Sequence, residues 1–165
     1  MMEFVSIVMG SKSDYEIMSE CVKVFKNFGV KYELVITSAH RSPKRTKEYL
    51  ENAEKKGAKV FIAAAGMAAH LAGVCAAYTL KPVLGVPMSG SNLASMDSLF
   101  STVQMPSGIP VGTLAIGKAG AINAAYLALQ ILALNNEKLA QALKQDRQEN
   151  EKKIEKDSKQ VEVLL

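Results

Sequence analysis

Four times along this chain a short apolar run ends in a loop of small residues and then passes into a helical pattern. The first run is residues 4–9 (FVSIVM), closed by Gly10, and the others are residues 32–36, 60–64 and 83–86. Runs this short and apolar suit strands buried on both faces, which requires a parallel sheet with helices against each side. The first helical stretch, 14–28, carries apolar residues at Ile17, Met18, Cys21, Val22, Val24, Phe25 and Phe28, a spacing with one buried face. Pro43 opens a second over 43–56 and Gly57 closes it; an Ala-rich third covers 67–79. A short helix over 97–104, a fifth strand over 111–116, an apolar helix over 120–134 and a charged helix over 136–159 complete the order. Strand and helix alternate throughout, so the expected fold is α/β: one doubly wound three-layer domain around a central parallel sheet of five strands.

With 48% hydrophobic and 22% charged residues the chain has the makeup of a folded domain, not a disordered one. Its net charge of +4 invites a nucleic-acid reading. The charge distribution opposes it, because Lys and Arg alternate closely with Asp and Glu over 137–159, as on a solvated helix face. There is no Trp, and few aromatics are present for bases to stack on, so no nucleic-acid partner is expected. Cys21 and Cys75 sit far apart within apolar helical patterns and read as buried free thiols in a reducing compartment. The N-terminal residues lead straight into a strand, without a leader pattern. The most apolar stretch, 119–134, contains Asn123 and Gln130 and is shorter than the roughly 18 residues of a spanning helix. The expectation is a cytoplasmic protein with no membrane partner.

In a doubly wound sheet, ligands bind beyond the carboxyl ends of the strands. The loops GSKSD, SAHR, AAAGMAAH and VPMSGS follow the first four strands, and both histidines of the chain lie in that set. Gly10-Ser11-Lys12-Ser13-Asp14 runs from strand to helix, where free N–H groups, the helix dipole and the Ser11 and Ser13 hydroxyls suit a phosphate. Asp14 opposes phosphate by charge, so it caps the helix or accepts from sugar hydroxyls. Taken alone, the loop also reads as ordinary N-capping. Ser38-Ala39-His40-Arg41-Ser42-Pro43 sets an imidazole fit for proton transfer beside a cation whose planar fork suits phosphate. A surface loop with an incidental His reads equally well there. Gly66 and its neighbours let a ligand approach the main chain closely, and His70 is a ligand contact or a histidine satisfied by packing. Ser89-Gly90-Ser91-Asn92 and Pro106-Ser107-Gly108 cover a ligand or merely turn.

No metal-ligand spacing, Walker loop, GxGxxG after the first strand or GxSxG elbow is present. Acid–base chemistry on a small phosphorylated ligand, with no cofactor and no metal, is what remains.

Together these stretches closely resemble one family, N5-carboxyaminoimidazole ribonucleotide (N5-CAIR) mutase, the class I phosphoribosylaminoimidazole carboxylase catalytic subunit. The resemblance is carried by VMGSKSD (8–14), SAHRSP (38–43), AGMAAHLAG (65–73), PVLGVP (82–87), DSLFSTVQMPSGIPVGTLAIGKAGAINAA (97–125) and the charged C-terminal helix. It implies a flavodoxin-like fold, with residues 1–135 as the catalytic part and 136–165 as a helical extension of the same domain. By position it places the acid–base role on His40 and substrate contacts on Ser11, Asp14 and Arg41. It further implies phosphate against Ser11, Ser13 and Arg41, ribose against Asp14, and His70 lining the pocket. Ser38 and Gly66 complete the expected substrate-binding set.

The resemblance also implies the chemistry. The N5-carbamate of the ribonucleotide substrate loses CO2, C4 of the resulting aminoimidazole ribonucleotide recaptures it, and His40 handles both protons. A sister class carboxylates aminoimidazole ribonucleotide directly; it carries Lys at the position of Arg41 and a GRSN-like stretch in place of the GGAAH-type loop. The chain departs from the family's GAGGAAHLPG at Ala64, Met67 and Ala72. Met67 then either narrows the pocket or packs the helix. The helix over 120–134 is apolar on nearly every side, which suits burial in a homo-oligomer, and the resemblance implies an octamer.

Overall fold

The computed structural model describes residues 3–163. It divides into two compact units, one running to Ala128 and the other from Leu129. In the first unit the strands are β1 (Phe4–Met9), β2 (Tyr32–Ile36), β3 (Ala58–Ala65), β4 (Val83–Pro87) and β5 (Gly112–Thr113). Between them lie α1 (Tyr15–Asn27), α2 (Pro43–Lys56), α3 (Leu71–Tyr78) and α4 (Met96–Val103), and α5 (Lys118–Ala133) follows β5. The second unit is dominated by α6 (Glu137–Val161), whose first turn is capped by the Asn136 side chain accepting from the Leu139 N–H at 3.1 Å.

All four strand pairings are parallel, as the alternation of elements predicts, and the order β2-β1-β3-β4-β5 is the flavodoxin-like one that the resemblance implies. Right-handed crossovers then dictate the layers. The step from β1 to β2 puts α1 on one face, and the reversed steps through β3 and β4 put α2, α3 and α4 on the other. Packing agrees. Phe4, Val8, Phe61 and Ala63 point to the side where Leu50 and Ala53 of α2 meet Leu71, Ala72 and Cys75 of α3. On the opposite face Phe25 of α1 stacks on Tyr32, and Phe28 meets Tyr126 of α5 edge-on.

Among the boundaries that differ from those read in the sequence, three have a clear structural cause. The fifth strand shrinks from six residues to Gly112–Thr113, because the chain leaves the ladder at this sheet edge. Single bonds from Leu114 N–H to the Gly85 carbonyl and from Gly117 N–H to the Pro87 carbonyl then guide it into α5. The first helix begins with a 3-10 turn over Lys12–Asp14, and the third begins at Leu71 because Met67 adopts a left-handed backbone.

The two thiols lie where the sequence placed them, buried and unpaired. Burial pushes both Cys21 and Cys75 up to about 12, which leaves almost no thiolate near neutral pH. The native protein is therefore expected to react negligibly with a thiol-specific disulfide reagent, and to release two equivalents of signal only after denaturation. Rapid reaction of the native form would contradict this packing.

Candidate active site

A cavity of about 670 Å³ opens at the carboxyl ends of the strands, lined by the loops after β1, β2, β3 and β4. It sits across the point where the strand order reverses, between β1 and β3. Its walls include Ser11, Ser13, Asp14, Ser38, His40, Arg41, Gly66 and His70, so the whole of the expected catalytic and substrate-binding set lines one cavity.

The loop after β1 closes on itself. The Asp14 carboxylate accepts from the Ser11 N–H at 3.0 Å, while the Ser11 hydroxyl oxygen accepts from the Ser13 N–H at 3.4 Å. This reciprocal pairing is a capping box, formed around the 3-10 turn and not around α1. The free N–H groups expected of a phosphate cradle are thus partly committed within the loop. What remains for an anion is hydroxyl chemistry from Ser11 and Ser13 together with the neighbouring guanidinium. Asp14 is largely buried, and the loss of hydration raises its carboxyl above the ordinary range; bonds from Ser11 and Ser13 and the charge of Arg41 pull the other way.

A carboxyl raised in this way favours the fold most when protonated. Its contribution is full in acid and is lost as pH rises through the raised value. Asp14→Asn, which keeps an acceptor for the Ser11 N–H, is therefore expected to melt no lower than the parent near neutral pH. Any advantage should fade as pH falls into the acid range. Thermal melts of both proteins across that range check it; a variant less stable only at neutral pH would contradict the burial argument.

The loop after β2 is fixed from beneath. Thr37 and Thr46 pair at 2.8 Å in the interior, and the Ser38 hydroxyl oxygen accepts from the Arg41 N–H at 3.1 Å. Ser38 thus shapes the turn that presents His40. The Arg41 guanidinium donates to the Gly10 carbonyl at 3.1 Å, tying the second loop to the first and holding its charge near Asp14.

The loop after β3 delivers the second histidine. Ala69 and His70 each donate an N–H to the carbonyl two residues earlier, at 2.9 and 2.8 Å, a tight path that sets His70 at the start of α3. His40 Nε2 and His70 Nδ1 meet at 2.9 Å, with the rings nearly perpendicular at 84°. Such a contact needs a hydrogen on one nitrogen and a lone pair on the other, so one ring donates a hydrogen bond to the other.

The loop after β4 supplies Met88, Ser89, Gly90 and Ser91 as the fourth wall. The VPMSGS stretch, which from sequence either covers a ligand or merely turns, thus lines the cavity, and Met88 joins it as a residue the sequence did not single out. The Ser91 hydroxyl donates to Asp97 at 2.6 Å and the Ser98 hydroxyl to the Met88 carbonyl at 2.9 Å, so α4 anchors this wall. The other glycine-serine turn, at Pro106-Ser107-Gly108, does not line the cavity. Met67 stands in the wall and is 69% exposed, so it does not pack a helix. Among the described residues no three His, Cys, Asp or Glu side chains gather as a metal site.

An end built of hydroxyls and a guanidinium, a hydrogen-bonded imidazole pair and small-residue walls between them suit proton transfer on a phosphorylated ligand. The comparisons point the same way. The model of the family described as AIR carboxylase matches residues 4–153. N5-carboxyaminoimidazole ribonucleotide mutase of Haemophilus influenzae is 57% identical over 129 residues, covering 78% of this chain and 79% of that one. Its Escherichia coli namesake is 55% identical over 139 residues, covering 84% and 82%. Among solved structures, Treponema denticola PurE superposes with a TM-score of 0.88 at 26% identity, covering 98% of this chain and 99% of that one.

Proposed function

The chain belongs to the AIR carboxylase family, and on that premise we propose that it is an N5-carboxyaminoimidazole ribonucleotide mutase. It converts N5-CAIR to 4-carboxy-5-aminoimidazole ribonucleotide (CAIR) in de novo purine (IMP) biosynthesis. This is an isomerase reaction needing no cofactor. The observation that carries the mechanistic reading is the 2.9 Å contact between His40 and His70 inside the cavity.

The substrate's phosphate lies against the Ser11 and Ser13 hydroxyls and the Arg41 guanidinium, where charge-assisted hydrogen bonds are strongest. Asp14 accepts from the ribose hydroxyls, consistent with the repulsion a carboxylate would exert on phosphate. Ser38 holds the turn, and Gly66 leaves room for the base. The bond from N5 to the carboxyl carbon then breaks with its electron pair left on N5, and His40 delivers a proton to that nitrogen. C4, enriched by the ring amine, attacks the released CO2, and the C4 proton passes to the now neutral His40. One carboxyl group has moved from N5 to C4 and one proton from C4 to N5, so the enzyme ends as it began. His70 supports this exchange by holding the His40 ring in place through its contact with Nε2.

The working form is a cytoplasmic homo-octamer. Exposed Met96, Phe100 and Val103, spaced along one side of α4, support burial between subunits, and among the described residues no helix is long and apolar enough to cross a membrane. A monomeric mass by light scattering would contradict the assembly. For the reaction, the purified protein is given N5-CAIR without added bicarbonate or, separately, aminoimidazole ribonucleotide with CO2, and CAIR is followed. Efficient turnover is expected in the first case; turnover confined to the second would assign the chain to the directly carboxylating sister class.

A further inference from the structure

Three non-glycine residues among those described hold a left-handed backbone: Met67 (φ 55°), Ala94 (φ 51°) and Ser95 (φ 67°). All belong to the two loops, after β3 and β4, that wall the cavity. Strain of this kind persists where the surroundings enforce it or where function uses it. Ser95 has a local explanation: its N–H donates to the Ser91 hydroxyl oxygen at 3.0 Å and its carbonyl accepts from the Ser98 hydroxyl at 2.9 Å.

Met67 has none that involves its side chain. The Met67 carbonyl accepts from the Ala69 N–H at 2.9 Å, a turn that glycine would make without steric cost. With 69% of the residue exposed, burial of the side chain returns little to the fold. The turn needs the left-handed backbone, and the methionine adds only its flexible thioether. Met67 lines the cavity together with His70 and Met88, and the Met88 N–H is bonded to the Ala65 carbonyl at 2.9 Å.

We propose that Met67 is the apolar cover over the reacting end of the cavity, which shields released CO2 from water and keeps it within reach of C4. This rests on the function proposed above. CO2 is small, uncharged and without a net dipole, so no hydrogen bond or ion pair in the site can hold it firmly. Only enclosure slows its escape, and recapture from solution forfeits the proximity that makes the second half fast. A long, unbranched, polarizable side chain suits a cover that must shift for substrate entry. The phosphate end, around Ser11 and Arg41, lies in other loops and is left unchanged.

The test runs unlabelled N5-CAIR in buffer containing 13C-bicarbonate and measures the 13C fraction in the C4 carboxyl of the product. Parent enzyme, Met67→Leu, Met67→Ala and Met67→Gly are compared, with melting temperatures. Parent and Met67→Leu are expected to show little label. Met67→Ala and Met67→Gly should both admit roughly tenfold more, about what loss of one apolar contact changes. Only Met67→Gly relieves the backbone, so it alone should gain roughly 2–4 °C in melting temperature. Label that stays low in the Ala and Gly variants, with the parent converting N5-CAIR, would overturn the role of Met67 while leaving the function intact. A parent that fails to convert N5-CAIR at all would instead remove the function on which the proposal rests.

Discussion

Replacing His40 with Asn is expected to lower turnover by roughly 10²–10⁴-fold, the contribution of a positioned acid–base group, while ribonucleotide binding changes little. The expectation follows from the division of labour across the cavity. The anion end is built from Ser11, Ser13 and Arg41, and the Arg41 guanidinium is held by the Gly10 carbonyl, not by His40. The turn that carries residue 40 is fixed by Ser38, Ser42 and Thr46 and does not depend on the imidazole. Asn is polar and compact enough to occupy the space, yet it cannot take up and return a proton near neutral pH. Calorimetric titration with CAIR alongside turnover measurements separates the two effects. Affinity lost in proportion to turnover would place His40 in binding and leave the proton step without an agent.

Gly120→Ala is expected to destabilise the fold by about 3 kcal/mol or more, at the upper end of what overpacking costs. A Cβ at this position would overlap the carbonyl of Ala115, a backbone group that no side-chain rotation can move aside. Val86 of β4 stands 3.3 Å away on the other flank, so α5 cannot simply slide. The start of α5 would have to lift from the sheet, disturbing Ala121, Ala124 and Ala125, all fully buried. Gly29→Ala is the internal control. Gly29 has a left-handed backbone at φ 65° with nothing within 4 Å of the new Cβ, so the cost there is conformational alone, about 1–2 kcal/mol. Urea unfolding of both variants measures the difference; equal midpoints would show that Gly120 has more room than the geometry allows.

The layer architecture was legible because its causes are local. Short apolar runs such as FVSIVM suit only strands buried on both faces, and Pro43 and Gly57 bracket α2 as their backbone preferences dictate. What stayed hidden depends on contacts distant in sequence. Nothing in the chain announces that His40 and His70, 30 residues apart, meet at 2.9 Å, because that distance is set by the pairing of β1 with β2 and β3. The Ser11–Asp14 reciprocal bond looked like simple capping of α1, and only the 3-10 turn shows that it consumes N–H groups a phosphate was expected to use. Alanine-rich composition suggested a helix from residue 67, and propensity lost there to the left-handed turn at Met67. Residue types alone narrowed the chemistry to proton transfer on a phosphorylated ligand. The carboxyl migration came from family resemblance.

The central claim is that the carboxyl carbon leaves N5 and reaches C4 within one cavity. N5-CAIR carrying 13C in its carboxyl group, converted by the parent enzyme in unlabelled bicarbonate, tests it most directly. The account predicts that nearly all the C4 carboxyl of the product carries 13C. Product labelled no more than the bicarbonate pool would contradict it.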